Sequence, residues 1–297
     1  MMREDLPAWR SLMFVPVIVP KYVAAAHTRG ADGIILDLED SVPAAEKARA
    51  RELVQEASGV VSQAGADVLV RINRPWRLAI RDIEASVSAK VMALVCPKTE
   101  SAAHLRMIAE VLDELEAERG LARGHTRLVA LIEDADSYFR AQEIAHATPR
   151  LVGLSLGAED FALSLGVAPT GPVLAAPKQH VIIAAKAAGI LPMGFMGTVA
   201  DFKDLEAFRQ TLRTSRAFGF MASSCIHPGQ VPIINEEYGP NPAAVAKAER
   251  MIAAYDAAIA QGLGAVTFEG SMIDVPVVER ARALLTRARQ LAARGKG

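Results

Sequence analysis

Eight short apolar runs, joined by seven helix-length segments, are the feature that most limits what this chain can become. The expected strands are Ser11–Val15, Gly33–Leu38, Val68–Ile72, Val91–Cys96, Leu128–Ile132, Leu151–Leu156, Leu191–Met196 and Phe218–Ala222. The expected helices between them are Lys21–Thr28, Ala44–Ala57, Ala79–Ser88, Ser101–Arg119, Ser137–Ala147, Leu174–Ala188 and Asp201–Ser215. The runs are rich in Val, Ile and Leu without alternation, which is the pattern of parallel strands covered on both faces. Strict βα alternation predicts an α/β fold, a (β/α)8 TIM barrel. A doubly wound open sheet is the alternative, but it would place a Gly-rich phosphate loop after the first strand. Phe14-Val-Pro-Val-Ile-Val-Pro20 stands there instead. Ser101 has the character of an N-cap, and Gly189 that of a glycine ending a helix.

After Gln230 the alternation stops. Ala243–Gln261 and Val275–Arg294 read as amphipathic helices, joined by the Gly-containing stretch Gly262–Asp274. The expected division is a barrel over residues 1–235 and a helical extension over residues 236–297. Bulk composition narrows the function classes. A formal net charge of −1 gives no electrostatic reason for nucleic-acid or membrane partners, and 5% aromatic residues offer few stacking platforms. Cys96 and Cys225 fit no zinc spacing and read as reduced thiols of a cytoplasmic protein. No apolar run approaches the roughly 18 residues of a membrane span, and no apolar leader opens the chain.

In a (β/α)8 barrel the chemistry sits at the C-terminal ends of the strands. Those ends carry Asp37, Glu39 and Asp40, then Arg71 and Asn73, Lys98, Glu133, Glu159 and Asp160, and finally Ser223, Ser224 and His227. Glu133 ends strand five, and Glu159 and Asp160 follow strand six. Adjacent parallel strands lie about 4.8 Å apart, so Glu133 and one of the later pair can share one small space. A hard cation such as Mg²⁺ would relieve their repulsion and keep positions open for substrate. Arg71, in Val-Leu-Val-Arg-Ile-Asn, suits a substrate carboxylate, with an ion pair to Glu39 or Asp40 as the alternative. Asp37, Glu39 and Asp40 could equally support metal waters or cap the helix starting near Pro43. Gly153-Leu-Ser155-Leu-Gly157 matches a hydrolase nucleophile elbow, but the apolar strand runs through Ser155 and the helix signal starts only past Gly157.

Several motifs in order carry a resemblance. They are Arg10-Ser-Leu-Met-Phe-Val-Pro16, Ile35-Leu-Asp-Leu-Glu-Asp-Ser-Val-Pro43, Val70-Arg-Ile-Asn73, Pro97-Lys-Thr-Glu100 and Leu131-Ile-Glu133. Gly157-Ala-Glu-Asp-Phe-Ala162, Cys225-Ile-His-Pro228 and Gly270-Ser-Met-Ile-Asp-Val-Pro276 complete the set. Together they resemble the citrate lyase β-subunit-like group of the HpcH/HpaI aldolase superfamily. The resemblance implies a Mg²⁺-dependent lyase, with Mn²⁺ as a possible substitute. It would cleave or form a 3-hydroxyacyl-CoA thioester such as malyl-, citramalyl- or citryl-CoA, giving an acyl-CoA and a 2-oxo acid. The implied metal ligands are Glu133 and Asp160, which chooses Asp160 over Glu159. Arg71 would hold the oxo-acid carboxylate and, as a catalytic residue, offer positive charge to the acyl-CoA enolate; Arg10 and Lys21 would contact substrate or CoA, and Asp37, Glu39 and Asp40 would support them. Asp274 would be the acid/base, delivered from a neighbouring subunit of a homotrimer or dimer of trimers by the C-terminal extension. Gly194, Ser223, Val17 and Lys178 depart from the group's usual pattern. A thioester hydrolase, or a subunit active only within a citrate lyase complex, are the rival expectations.

Overall fold

In the computed structural model, which describes residues 2–198 and 204–294, eight parallel strands form one sheet, and the first seven lie where the sequence places them. They are β1 (Ser11–Pro16), β2 (Gly33–Asp37), β3 (Asp67–Arg71), β4 (Val91–Cys96), β5 (Arg127–Ile132), β6 (Leu151–Leu156), β7 (Leu191–Met193) and β8 (Ser223–Cys225). Their order is β7-β6-β5-β4-β3-β2-β1-β8. A parallel bridge between Met193 and Ala222 brings the two ends together. Hydrogen bonds from Gly194 N–H to Ala222 O (2.8 Å) and from Met221 N–H to Pro192 O (3.0 Å) complete the ring. This is a (β/α)8 barrel.

The interior is filled by side chains from alternate strand positions, among them Leu12, Ile35, Leu69, Ala93, Val129 and Leu191. Gly33 lies in this layer because a Cβ there would meet Leu12 Cδ2 at 2.4 Å. Below it, at the N-terminal end of the strands, Trp9 is fully buried and its Nε1–H donates to Asp67 Oδ2 at 2.7 Å.

The helices are α1 (Pro20–Ala26), α2 (Lys47–Val61), α3 (Trp76–Ser86), α4 (Ala102–Glu118), α5 (Ala135–Phe139), α6 (Ala141–Ala145), α7 (Ala158–Ser164), α8 (Gly171–Ala187) and α9 (Leu205–Phe218). Ser101 caps α4 by accepting from His104 N–H at 3.3 Å, and Gly189 follows α8 with φ 69°. The expected helix Ser137–Ala147 is instead the pair α5 and α6, broken at Arg140 and started by an Asp134–Ser137 capping box. The expected start of α9 at Asp201 lies outside the described residues. Its observed N-cap is Asp204, whose carboxylate accepts from Glu206 and Ala207 N–H.

The last strand is where the sequence reading missed. Phe218–Ala222 was expected to be β8 because it is apolar. Phe218 instead ends α9, Gly219 adopts φ 115° as its cap, and pairing starts only at Ala222. The true β8 is Ser-Ser-Cys, with no apolar signature, and is recognisable only by its pairing with β1.

The described chain divides into two compact units, Met1–Asn235 and Glu236–Gly297. Helix α10 (Gln230–Glu237) spans their junction. The second unit holds α11 (Pro242–Ala260), β9 (Val266–Phe268), β10 (Ser271–Ile273) and α12 (Val275–Arg294). Gly262–Asp274 is therefore more than a loop. Glu269 (φ 47°) and Gly270 (φ 80°) form the two-residue turn of a β9–β10 hairpin. Ion pairs from Lys247 and Arg250 to Glu269 fasten that turn to α11. Ile273 is buried with Tyr255 and Val278.

One buried anchor holds the loop after β3 in place. Asp82 on α3 is fully buried, pairs with Arg51 at 2.7 Å, and accepts from Asn73 N–H (2.8 Å) and Asn73 Nδ2–H (2.6 Å). Asn73 in turn donates to Leu38 O, linking the ends of β2 and β3. Asp82→Ala leaves a guanidinium and an amide without their acceptor. The expected loss is about 3–5 kcal/mol of unfolding free energy, measured by denaturant titration.

Candidate active site at the barrel mouth

Residues Asp37 and Arg71 stand side by side at the last positions of β2 and β3. The guanidinium grips the carboxylate by its edge, Nε to Oδ1 and Nη2 to Oδ2, both at 2.7 Å. Asp37 also accepts from Glu39 N–H and Ser41 N–H, so one carboxylate orders its own loop and the arginine. Burial pushes Asp37 up, but its bonds to Arg71 outweigh that and hold it below the usual carboxylate range. Arg71 Nη1 lies 3.1 Å from Glu39 Oε2 and 3.3 Å from Asp40 Oδ2, and the guanidinium sits 4.8 Å from the Phe14 ring centre. The Glu39 contact is close but not in line, so its buried Oε2 has no hydrogen-bond donor. None of the three carboxylates caps the short 3₁₀ turn Ala44–Glu46 that follows Pro43.

Glu133 follows β5, and Asp160 lies in the first turn of α7 after β6. A bond from Gly157 N–H to Ile132 O at 2.9 Å ties the two strand ends together. Gly157 is required here for space: a Cβ would meet Glu133 Oε1 at 2.4 Å. Glu133 is 6% exposed and accepts from Lys98 N–H at 2.6 Å. Burial raises its pKa to about 7 against that bond, and the negative charges of Glu39 and Asp160 add to the rise. Glu159 shares the first turn of α7.

Lys98 is the residue whose part the sequence left unassigned. It adopts φ 46°, a left-handed conformation rare outside glycine. From there its backbone reaches Glu133, while its Nζ bonds Glu39 Oε1 at 2.7 Å and lies 3.8 Å from Asp160 Oδ1. Burial opposes its charge, but Glu39, Glu133 and Asp160 outweigh burial and raise its pKa. Its place directly beyond a strand end was the available signal.

Asp37, Asp40, Arg71, Glu133 and Asp160 border a cavity of about 770 Å³ whose walls also include Phe14, Ser155 and Lys178. Lys21 is exposed on α1, which follows β1, with its Nζ 5.0 Å from the Tyr22 ring centre, and Tyr22 reaches the cavity. Arg10 does not belong here. It precedes β1, at the opposite end of the barrel, and its guanidinium is taken by Asp32 at 2.7 and 2.9 Å. Ser155 also loses the elbow role. It lies inside β6, paired across to Leu131 and Met193, and α7 begins three residues later at Ala158. His227 occupies a turn, its Nδ1 accepting from Gly229 N–H. Asp274 stands between β10 and α12 in the second unit, its carbonyl accepting from Val278 N–H at 3.0 Å.

Comparison with known proteins gives the chain's family. The HpcH/HpaI aldolase/citrate lyase family model matches residues 10–228. The citrate lyase subunit beta of Leuconostoc mesenteroides subsp. cremoris is 35% identical over 281 residues, 93% of this chain and 92% of that one. The L-malyl-CoA/beta-methylmalyl-CoA lyase of Rhodobacter capsulatus is 32% identical over 302 residues, 94% of each chain. The crystal structure of CitE from Mycobacterium tuberculosis, in complex with magnesium, acetoacetate and coenzyme A, superposes with a TM-score of 0.73. It is 31% identical and covers 97% of this chain and 100% of that one. The chain is an enzyme of the lyase class and belongs to the HpcH/HpaI aldolase/citrate lyase family.

Proposed function

We propose that this enzyme is a divalent-metal-dependent carbon–carbon lyase acting on a 3-hydroxyacyl-CoA thioester of the malyl-, citramalyl- or citryl-CoA type. The observation that carries the reading is the charge imbalance at the mouth. Asp37, Glu39, Asp40, Glu133 and Asp160 collect there against the cations Arg71 and Lys98. An anionic substrate would be repelled from such a place unless a cation joined it. Among the described residues no three His, Cys, Asp or Glu side chains gather to hold a metal by themselves. Mg²⁺ does not need them, since it commonly takes one or two carboxylates and fills its other positions from substrate and water. Glu133 and Asp160 fit that demand, and Mn²⁺ would accept the same oxygen donors.

Bound there, the metal would supply a Lewis acid for the substrate's hydroxyl and carboxylate oxygens. Arg71, braced by Asp37 along one edge, offers Nη1 to the carboxylate of the 2-oxo acid, in place of the exposed Asp40. Glu39 and Lys98 keep the arginine and the carboxylate pair apart at fixed positions. Asp274 is the proposed proton carrier, entering the barrel mouth of a neighbouring subunit in a trimer or a dimer of trimers. Lys21, on the rim, is proposed to meet the CoA moiety. Supporting the reading are the lyase relatives and the acetoacetate and coenzyme A complex of the magnesium-containing neighbour.

Product identity is the direct test. With Mg²⁺ and a panel of CoA thioesters, mass spectrometry should find an acyl-CoA and a 2-oxo acid. A free hydroxy acid and CoA would mean hydrolysis instead.

Glu133→Gln tests the metal site by a second route. A carboxyl whose pKa rises from 4.5 to about 7 on folding is ionised more easily in the unfolded chain. Metal-free stability should therefore fall as pH rises from 4.5 through 7. The variant should melt roughly 3–6 °C higher than the wild type at pH 8 without metal, and gain nothing from added Mg²⁺. A Mg²⁺-induced melting shift equal to that of the wild type would remove Glu133 from the ligand set.

Subunit mixing tests Asp274. Asp274→Asn and Asp160→Asn should each be folded and nearly inactive. Mixed oligomers should regain activity, because some interfaces then hold an intact barrel and an intact Asp274. Background activity in proven mixed oligomers would reject the shared site.

A further inference from the structure

The cavity contains a cation that the scheme above leaves unused. Lys178 lies on α8 and is 3% exposed, yet it reaches the cavity wall. Its Nζ donates to Phe195 O at 2.6 Å and to Gly197 O, both just beyond β7. An ammonium has three N–H donors, so one remains after these two. Arg71 is matched by three carboxylates and Lys98 by Glu39 and Asp160, but among the described residues Lys178 has only neutral partners, the two carbonyls and the Phe195 ring, whose centre is 5.6 Å from Nζ. Glu159 acts on it through charge alone, and burial draws its pKa down to about 8. A buried charge without a counter-ion is costly. Its presence at a substrate cavity marks a place where negative charge arrives.

Strand order says which charge. Around the ring come Arg71 at β3, Glu133 after β5, Asp160 after β6, and the carbonyls that hold Lys178 beyond β7. The carboxylate pair thus stands between two cations. A substrate centred on that pair with its oxo-acid carboxylate toward Arg71 turns its acyl end toward β7. The geometry points to Lys178 as a catalytic residue whose free N–H takes the thioester oxygen of the acyl group as negative charge collects there. This rests on the lyase reading above. In the cleavage, the substrate hydroxyl loses its proton to a base and its oxygen becomes the oxo-acid carbonyl. The C–C bond breaks, and its electron pair passes into the acyl-CoA enolate, centred on the thioester oxygen. The enolate carbon then takes a proton, leaving acyl-CoA. Charge is created and removed at the atom assigned to Lys178, which is the role of an oxyanion donor.

The test separates acyl chemistry from oxo-acid binding. Wild type, Lys178→Met, Lys178→Gln and Lys178→Arg are saturated with Mg²⁺ and oxamate, a 2-oxo-acid mimic that cannot condense. Exchange of the acetyl-CoA methyl hydrogens with D₂O is followed by NMR, and oxamate affinity by calorimetry. The wild type should exchange. Lys178→Met should lower the exchange rate by roughly 10²–10³-fold while oxamate affinity stays within about twofold. Lys178→Gln, which can still donate to backbone carbonyls but carries no charge, should behave the same way and covers a folding defect in the Met variant. Lys178→Arg should retain more exchange than either. Wild-type exchange in both neutral variants overturns the assignment alone. Parallel loss of exchange and oxamate binding makes Lys178 a pin for the loop after β7 and also overturns it. A wild type that binds oxamate but neither exchanges acetyl-CoA nor cleaves any CoA thioester overturns the lyase reading together with this one.

Discussion

The two-bond grip of Arg71 on Asp37 is the contact on which the mouth of this barrel depends. It joins the last residues of neighbouring strands, so the strand register itself brings the partners together. A guanidinium this deeply placed would be unfavourable in an apolar setting, and the carboxylate would be too. Each makes the other tolerable, and Asp37 passes the order on through the N–H groups of Glu39 and Ser41. The arginine is thereby presented in one orientation before any ligand arrives. Side-chain freedom that would otherwise be lost on binding has already been lost on folding.

From that anchor the charges spread in a sequence. Glu39 sits between Arg71 and Lys98, and Lys98 sits between Glu39, Glu133 and Asp160. The chain of contacts is unbalanced toward the negative, and the imbalance is deepest at Glu133, where burial makes ionisation hardest. A site of this kind is poorly satisfied by itself. Stability is given up at a place where chemistry is expected, which is a common mark of functional sites.

Much of the fold was legible because buried parallel strands leave an unmistakable pattern. Leu151–Leu156 and Val91–Cys96 match their strands end to end, and Val275–Arg294 matches its helix. What failed did so where pattern and pairing part company. β8 is polar and short, so nothing local marks it as a strand. The β9–β10 hairpin depends on a Glu-Gly turn that does not stand out among nearby glycines. At the site, strand ends named carboxylates and an arginine that the fold does bring together at the barrel mouth, because position along a barrel strand is position in space. They offered Glu39 and Asp40 as ion-pair partners of Arg71, and both lie beside its Nη1, but they did not name Asp37, whose two-bond grip comes only through the β2–β3 register. Arg10 misled because its motif runs into β1 from below, and a motif does not state which end of its strand it occupies. Lys98 was seen but not understood, because its role follows from a backbone angle that the sequence does not show.

The filled interior beneath the mouth has a further consequence. With Trp9 buried under the strands and tied to Asp67, and apolar layers stacked above it, the barrel is a cup and not a pipe. Whatever is made at its bottom has to leave by the way it entered. Two products sharing one doorway cannot depart independently when one lies nearer the floor. The outer fragment must clear first, and its abundance in the surroundings would then hold the inner one in place. Traffic through such a vessel is ordered by architecture, before any side chain expresses a preference.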